Sequence, residues 1–513
     1  MLRRLAITTA ITTAIACLSS TAAAQPAMHL STSGTGQVLI YPYYTTHGGL
    51  TTVLTVSNTT LVAKALRVRV LEGVASAPAL SFNLYLGPFS TWSAALAPAG
   101  PGDAGAVLIT GAVGCTVPAL TPGQPVPLST AGFTGANQDW DPATTSAVRA
   151  ALLGSPLRTR DGHIEVFELG SIVPGSLFAV AQTPADCGRH REAWAPGGAW
   201  ATEPARDITL PSGGLRGEGV LVDAAQGIVY GYAPVAIGGF HTDAAAPAAL
   251  HTPPTSPRPD LRDARSGGGV VRVELPATEA RASRVEVFPQ GLPRPDAVSA
   301  LLIRSRLHGE AILDPVLGAD TEWVVTMPTR RWYLDAPPGS SPFQFLRLSD
   351  GSWCHNVTYM VSTRSLTEPI RFVPFPRVSG VGPNFVFPSL CSAASVASVR
   401  RIRPSGDTRL LGARAGLTGV DLGRLGRCCF QGRVEISPID DYDWIQTSGV
   451  VNIELASGSL PWTLPSGRSL SGLPALGLAV TRYINANAQP DVLANYGMAL
   501  PMASETRELP PAP

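Results

Sequence analysis

Residues 65–71 read ALRVRVL. Leu66, Val68 and Val70 fall on one face of an extended strand, and Arg67 and Arg69 fall on the other. A period of two marks a strand, and it predicts one buried face and one wet face. Runs of the same kind lie on both sides: QVLIYPYY at 37–44, TTVLTVS at 51–57, SFNLYL at 81–86 and AVLIT at 106–110. In SFNLYL the pattern puts Phe82, Leu84 and Leu86 inward and Asn83 and Tyr85 outward. Short strands with turns roughly every ten residues point to an immunoglobulin-like β-sandwich.

Further along, strands are expected at 163–169, 176–181 and 219–232. A helix is expected before them, with Asp141 as cap, Pro142 at its first position and Gly154 closing it. Residues 251–269 read HTPPTSPRPDLRDARSGGG, a Pro- and Gly-rich stretch expected to be a linker. Beyond it, strands are expected at 270–275, 284–288, 322–327, 332–334, 356–362 and 450–455. A helical run at 297–307 has Asp296 as its cap. The expected architecture is therefore mainly β: tandem immunoglobulin-like sandwiches over 25–250 and 270–500, with one or two short helices inserted. Residues 501–513, ending ELPPAP, are expected to be a disordered tail.

The chain opens MLRRLAITTAITTAIACLSSTAAAQPA. Arg3 and Arg4, an uncharged run over 5–18 and the small residues Thr21 to Ala24 predict a signal peptide over 1–24, cleaved after Ala24. The competing reading is a lipoprotein modified at Cys17. No other stretch reaches the roughly 18 apolar residues of a membrane helix, so no transmembrane segment is expected. Charged residues make up 15% of the chain and its net charge is +1. That leaves no electrostatic footprint for nucleic acid.

Beyond the leader the cysteines are Cys115, Cys187, Cys354, Cys391, Cys428 and Cys429. Six cysteines in an exported chain favour disulfides. The expected pairing is Cys115 with Cys187, and Cys354 and Cys391 each with one of Cys428 and Cys429. No Cys-x-x-Cys motif occurs, and neither a metal nor a cofactor is expected.

Candidate chemistry is sparse. His163 and Glu165 share a strand face and could chelate a metal, but a solvated face is the expected reading. Asn137, Asp139 and Asp141 are spaced like the first ligands of a calcium loop, yet Pro142 stands where such a loop needs Gly. Asp440, Asp441 and Asp443, followed by Trp444, form an acidic cluster that could hold calcium or line a sugar site; an exposed acidic turn is the plainer reading. Tyr41, Tyr43, Tyr44, Tyr85 and Trp92 could stack on sugar rings or serve as packing. No Gly-x-Ser-x-Gly elbow, His-Glu-x-x-His or Walker loop is present.

Six segments taken in order carry a resemblance: GTGQVLIYPYYTT at 34–46, SFNLYLGPF at 81–89, RTRDGHIEVFELG at 158–170, DAVSALLIRSRLHGEAILD at 296–314, EWVVTMPTRRWY at 322–333 and ANYGMALP at 494–501. Together they resemble a family of uncharacterised secreted or surface-associated β-rich proteins of proteobacteria. The resemblance implies export and a multi-stranded fold, and transfers no catalytic residue. The expected function is an exported, non-enzymatic one: structural, adhesive or binding, with a cell-envelope protein or polysaccharide as partner. The alternative is a secreted hydrolase of the glycosidase kind.

Overall fold

The computed structural model describes residues 26–509 except 103, 144, 180–186, 279–280, 315, 338–339, 344, 348–352, 357, 364–388, 399–406, 415, 422–448, 457–459 and 486–493. The described residues are mainly β, with several sheets and a few short helices. The first fourteen strands are β1 (His29–Leu30), β2 (Val38–Thr45), β3 (Leu50–Asn58), β4 (Lys64–Glu72), β5 (Pro78–Leu86), β6 (Thr91–Pro98), β7 (Ala106–Thr110), β8 (Cys115–Val117), β9 (Pro125–Pro127), β10 (Asp161–Ile172), β11 (Ile208–Thr209), β12 (Leu215–Asp223), β13 (Ile228–Tyr232) and β14 (Val235–Gly238). They form two antiparallel sheets. One has eight strands, in the order β1-β14-β2-β10-β4-β5-β8 with β11 on β10; the other has six, in the order β13-β12-β3-β6-β7-β9.

The apolar side chains of ALRVRVL do face a core. Leu66, Val68 and Val70 join Phe82, Leu84, Ile164 and Val166 against Leu54, Val56, Trp92 and Leu108 of the six-stranded sheet. That second sheet keeps the expected alternation of buried and part-exposed positions along β3. The eight-stranded sheet does not. All nine residues of β4 and all twelve of β10 are buried. Its other face carries Val38, Ile40, Ala65, Tyr85 and Phe167 into a second core with Val271, Val273, Phe288, Leu301 and Trp462. The expectation that Arg67, Arg69, Asn83 and Tyr85 face water is therefore corrected: the 187–200 segment, the 251–269 stretch and the C-terminal half cover that face.

The C-terminal half contributes a five-stranded sheet, in the order Gly419–Asp421, Ala394–Ser398, Ala319–Thr326, Leu476–Tyr483, Tyr496–Pro501. It too is buried on both sides. Val324, Val396, Leu478 and Val480 extend the core between the first two sheets. The alternate residues Trp323, Val325, Ala397 and Ala479 face a third core with Leu307, Val451 and Ile453. Those last three belong to a four-stranded sheet of Thr358–Thr363, Gly449–Glu454, Arg306–Ala311 and Ala503–Glu505. Close backbone approach fixes the junction. A Cβ on Gly497 would lie 2.3 Å from the Tyr230 ring, and one on Gly412, whose φ is +69°, would lie 2.7 Å from the Gly48 nitrogen.

The stretch 251–269 is held against the eight-stranded sheet. Arg67 donates to the carbonyls of Ser256 at 2.8 Å and Pro253 at 2.7 Å, and Leu261 is fully buried. Its prolines give it an irregular path, and its irregular backbone is satisfied by side chains. The tail also differs from expectation: Ala503–Glu505 and Arg507–Leu509 pair as strands, while 510–513 lie outside the described residues.

Among the described residues there are four short α-helices: α1 (Ala147–Leu153), α2 (Gly188–Trp194), α3 (Ala199–Thr202) and α4 (Asp296–Leu302). Ser146, rather than Asp141, caps α1, and Gly154 closes it as expected. Asp296 sits inside the first turn of α4, and the chain leaves the helix at Ile303 to pair with Pro474. Residues 176–179 are turns and bends, and 330–333 form a 3₁₀ turn, where strands were expected.

Cys115 and Cys187 form the expected disulfide across 72 residues. Cys391 is also disulfide-bonded. The side chain of Cys354 and all of Cys428 and Cys429 lie outside the described residues. In the chain-entropy account a loop of this length restrains the unfolded chain by roughly 4 kcal/mol. Replacing Cys115 and Cys187 together by Ser is expected to lower the melting temperature by several degrees in non-reducing calorimetry. Identical melting of variant and wild type would show that the bridge restrains nothing.

Candidate functional site

The titratable groups that the fold brings together lie where sheets meet. On the covered face of the eight-stranded sheet, register places Arg69 of β4 opposite Glu165 of β10. Arg69 Nη1 reaches Glu165 Oε2 at 2.9 Å, and His163 Nε2 lies 3.7 Å from Glu165 Oε1. All three side chains are buried, so the solvated face expected for His163 and Glu165 is corrected. At the far end of β4, Lys64 Nζ bonds Glu168 Oε1 at 2.6 Å, and Glu168 also accepts from the backbone of Ser212 and Gly213. Buried ions persist only when paired and hydrogen-bonded in this way.

Arg67 is bonded differently. It donates to Asn83 Oδ1 and to three carbonyls of the 252–256 stretch. Burial lowers its pKa to about 10. Its work is structural, since these bonds tie the covering stretch to β4.

Glu72 ends β4 and organises the β4–β5 turn. It accepts from the backbone N–H groups of Val74, Ala75 and Ala77 at 2.8–2.9 Å. Arg158 grips both its oxygens and also pairs with Asp139. Burial alone would raise the Glu72 pKa, but Arg158 and the three N–H groups outweigh it and hold the carboxyl below its ordinary value. Asp139 is thus a partner of Arg158, Asn137 bonds Ala131, and Asp141 bonds the Ala143 N–H. The calcium-loop reading gathers no support from these three. Among the described residues no group of three or more His, Cys, Asp or Glu could hold a metal.

Asp161 begins β10, at the junction with the C-terminal half. Thr418 donates to its Oδ2, and His47 Nε2 lies 3.9 Å from that oxygen. Burial, with Glu72 nearby, raises the Asp161 pKa to about 7 even though the Thr418 bond opposes it. Burial, with Arg160 nearby, lowers His47 to about 4. Both groups are therefore neutral between those values. Glu322, on the C-terminal sheet, anchors the chain on the other side of the junction. It accepts from the N–H groups of Arg409, Leu410 and Leu411 and from Thr408, and so fixes the strap that carries Gly412.

The early aromatics are packing. Tyr41, Tyr43, Tyr44, Tyr85 and Trp92 are fully buried, and Trp92 Nε1 bonds Thr110 at 2.7 Å. A sugar platform built from them is ruled out by that burial. Behind the disulfide lies a cluster that spacing did not reveal. Tyr85 stacks on Trp200 at 5.1 Å, accepts from Trp194 Nε1 at 2.6 Å, and contacts His190 and His251. Burial lowers His251 to about 4. The stretch CGRHREAWAPGGAW at 187–200 carried the signal, since Cys187 anchors two Trp and a His beside Tyr85. An open cleft of about 220 Å³ adjoins the bridge, lined by Thr110, Gly111, Thr116, Leu120 and Arg191 among others. Asp440, Asp441, Asp443 and Trp444 lie outside the described residues.

Comparisons of the chain with protein-family profiles, with curated proteins and with solved structures find no match.

The junction groups set a pH dependence. Asp161, protonated when folded up to about pH 7, contributes stability that is full below about pH 4 and lost as pH rises to 7. His47, neutral when folded down to about pH 4, contributes stability above pH 6.5 that is lost as pH falls to 4. The two slopes oppose each other. Asp161→Asn removes the first, so the stability of the variant is expected to climb more steeply from pH 4 to 7 than that of wild type. The difference at pH 7 is at most about 4 kcal/mol in favour of the variant, from three pH units at 1.36 kcal/mol each. Parallel denaturation-versus-pH curves for the two proteins would contradict a neutral buried Asp161.

Proposed function

We propose that the protein is exported and non-enzymatic, with a structural, adhesive or binding role at the cell surface or in the periplasm. The observation that carries this reading is where the reactive groups of the eight-stranded sheet are spent. Glu72, Glu165 and Glu168 are held by Arg158, Arg69 and Lys64 beneath covering layers, and the early aromatics fill the core. A polymer has no approach to such groups. The cleft beside the disulfide has Arg191 but no carboxylate in its lining. A glycosidase would need two carboxyls roughly 5–10 Å apart and open to substrate.

The Cys115–Cys187 bridge supports export, because such bridges persist in oxidising compartments. On this reading residues 1–24 are a cleaved signal and the mature chain starts at Gln25. The two N-terminal sheets are read as an immunoglobulin-like sandwich, supported by their antiparallel strands and shared core, with the five- and four-stranded C-terminal sheets as its tandem partner. The partner is a cell-envelope protein or polysaccharide.

Cell fractionation with N-terminal sequencing tests the reading. The expected result is a chain beginning at Gln25 outside the cytoplasm, which retains envelope material in a pull-down and releases no sugar from a panel of polysaccharides. A cytoplasmic, unprocessed chain, or one that cuts a polysaccharide, overturns it.

A further inference from the structure

One end of the N-terminal sandwich is closed by the C-terminal five-stranded sheet, whose Val324, Leu478 and Val480 complete the shared core. The opposite end is built from six loops. Pairing of Lys64 with Leu86 and with Ser171 brings the 59–63, 87–90 and 173–179 loops to this end. Pairing of Asn58 with Leu215, and Gly111 N to Ser93 O, adds 210–214 and 111–114. The 31–36 loop joins through Gly36 N to Leu215 O. They read STSGTG, TTLVA, GPFS, GAVG, VPGSLFA and LPSGG. Among the described residues of these loops none is charged or a histidine, in a chain of which 15% is charged.

These loops present large apolar side chains to solvent. Leu61 is 77% exposed, Leu177 68%, Phe89 65% and Val113 40%. Phe89 holds a φ of +50°, a left-handed conformation that a bulky residue adopts only when its surroundings impose it. The surroundings here are a buried amide. Asn58 donates to the carbonyls of Val62 at 2.8 Å and Gly87 at 2.9 Å, and accepts from Thr60. Phe89 N then bonds Thr60 O at 3.2 Å, and Thr59 N bonds Gly214 O at 3.0 Å. The 59–63, 87–90 and 210–214 tips are thus stitched together.

Several side-chain hydroxyls of the tips are bonded within the chain, while Ser176 Oγ is buried without a hydrogen-bond partner. Thr59 Oγ1 bonds Gly214 O, Thr60 Oγ1 bonds Asn58, Ser33 Oγ bonds Ser31 and Thr35, and Ser212 Oγ bonds Lys64 and Ser171. For the hydroxyls bonded in this way, leaving water gives up fewer hydrogen bonds to solvent, which lowers the cost of burying them. Charges resume on the flanks, where exposed Arg216 pairs with Glu218, Asp207 accepts from the Val173 N–H through its carbonyl, Arg189 and Arg191 of α2 stand beside Glu192, and Arg206 stands near Glu203 in sequence. Those flanks are mixed in sign.

We propose that this loop end is a lipid-docking surface, which seats Leu61, Phe89, Leu177 and Val113 in the interfacial layer of an uncharged bilayer. Exposed apolar tips whose hydroxyls are mostly bonded internally fit a fluid apolar phase, which demands no matching donors and acceptors. The mixed flanks give no preference for anionic headgroups. The inference names the partner surface for an exported protein and so rests on that reading for the membrane it meets, while the docking chemistry stands on the loops alone.

The test is flotation of the purified protein with phosphatidylcholine vesicles, beside a Leu61→Ser/Phe89→Ser variant whose melting curve matches wild type. Wild type is expected to float with neutral vesicles in 0.5 M as in 0.1 M salt (about 4 and 10 Å screening lengths). The double variant is expected to bind on the order of tenfold more weakly or worse, since two apolar anchors are lost. In a Phe89→Trp protein the indole emission should shift to the blue on adding vesicles. Any of four results overturns the proposal: no flotation of wild type, equal flotation of the variant, binding that requires anionic lipid and vanishes with salt, or a wild-type dimer in sedimentation that the double variant dissolves. The last would assign the tips to a second copy. Export is read by fractionation, so failure of that reading and failure of lipid docking are separable.

Discussion

The structure depends on strands β4 and β10 having no wet face. A strand in an ordinary sandwich discards its polar residues into solvent. Here the reverse side of β4 and β10 is roofed by later chain, including the 251–269 stretch and the C-terminal half, so Arg67, Arg69, Glu165 and Glu168 must find partners inside the protein. Each removal of a single partner would leave a charge buried and uncompensated, a far larger loss than the pair itself contributes. The polar seam therefore selects one register: Arg69 opposite Glu165, Lys64 opposite Ser171 beside Glu168. A slip by one residue would put the arginines among Leu54, Val56 and Trp92.

The same double burial recurs in the C-terminal five-stranded sheet, where alternate residues of Ala319–Thr326 and Leu476–Tyr483 serve two different cores. Together the two sheets make the halves share hydrophobic interior. The 251–269 stretch runs along this interior, pinned by Arg67 and by its own Arg258–Asp263 pair at 2.5 Å. The disulfide and the aromatic cluster of Tyr85, Trp194 and Trp200 close the remaining flank.

The legible parts of the sequence were local. ALRVRVL, AVLIT and VVRVEL carry their strand period in adjacent residues, and the strands stand within a residue or two of the expected bounds. The Cys115–Cys187 pairing was legible because the other four cysteines lie far along the chain. What was not legible depended on distant chain. Nothing in residues 65–71 says that Thr252, Pro253 and Ser256 will lie over Arg67. Trp332 and Tyr333 have strand-forming side chains, yet their turn carries the Arg330 and Arg331 bonds to the backbone of the β4–β5 turn, a tertiary demand that overrides propensity. Asp161 and His47 are 114 residues apart, and their neutral pairing is created by Thr418 and the covering strap. Of the candidate site residues, the bridge cysteines were found, while the acidic cluster at 440–444 lies outside the described residues.

The central claim is that the two halves form one cooperative interior built around β4 and β10. Native-state hydrogen exchange as a function of denaturant tests it most directly. The account predicts that amides of Lys64–Glu72, Asp161–Ile172 and Leu476–Tyr483 exchange through the same global opening, with one free energy and one denaturant slope. If Leu476–Tyr483 exchanges through a separate opening of lower energy while β4 and β10 remain protected, the halves are independent and the shared interior does not hold them together.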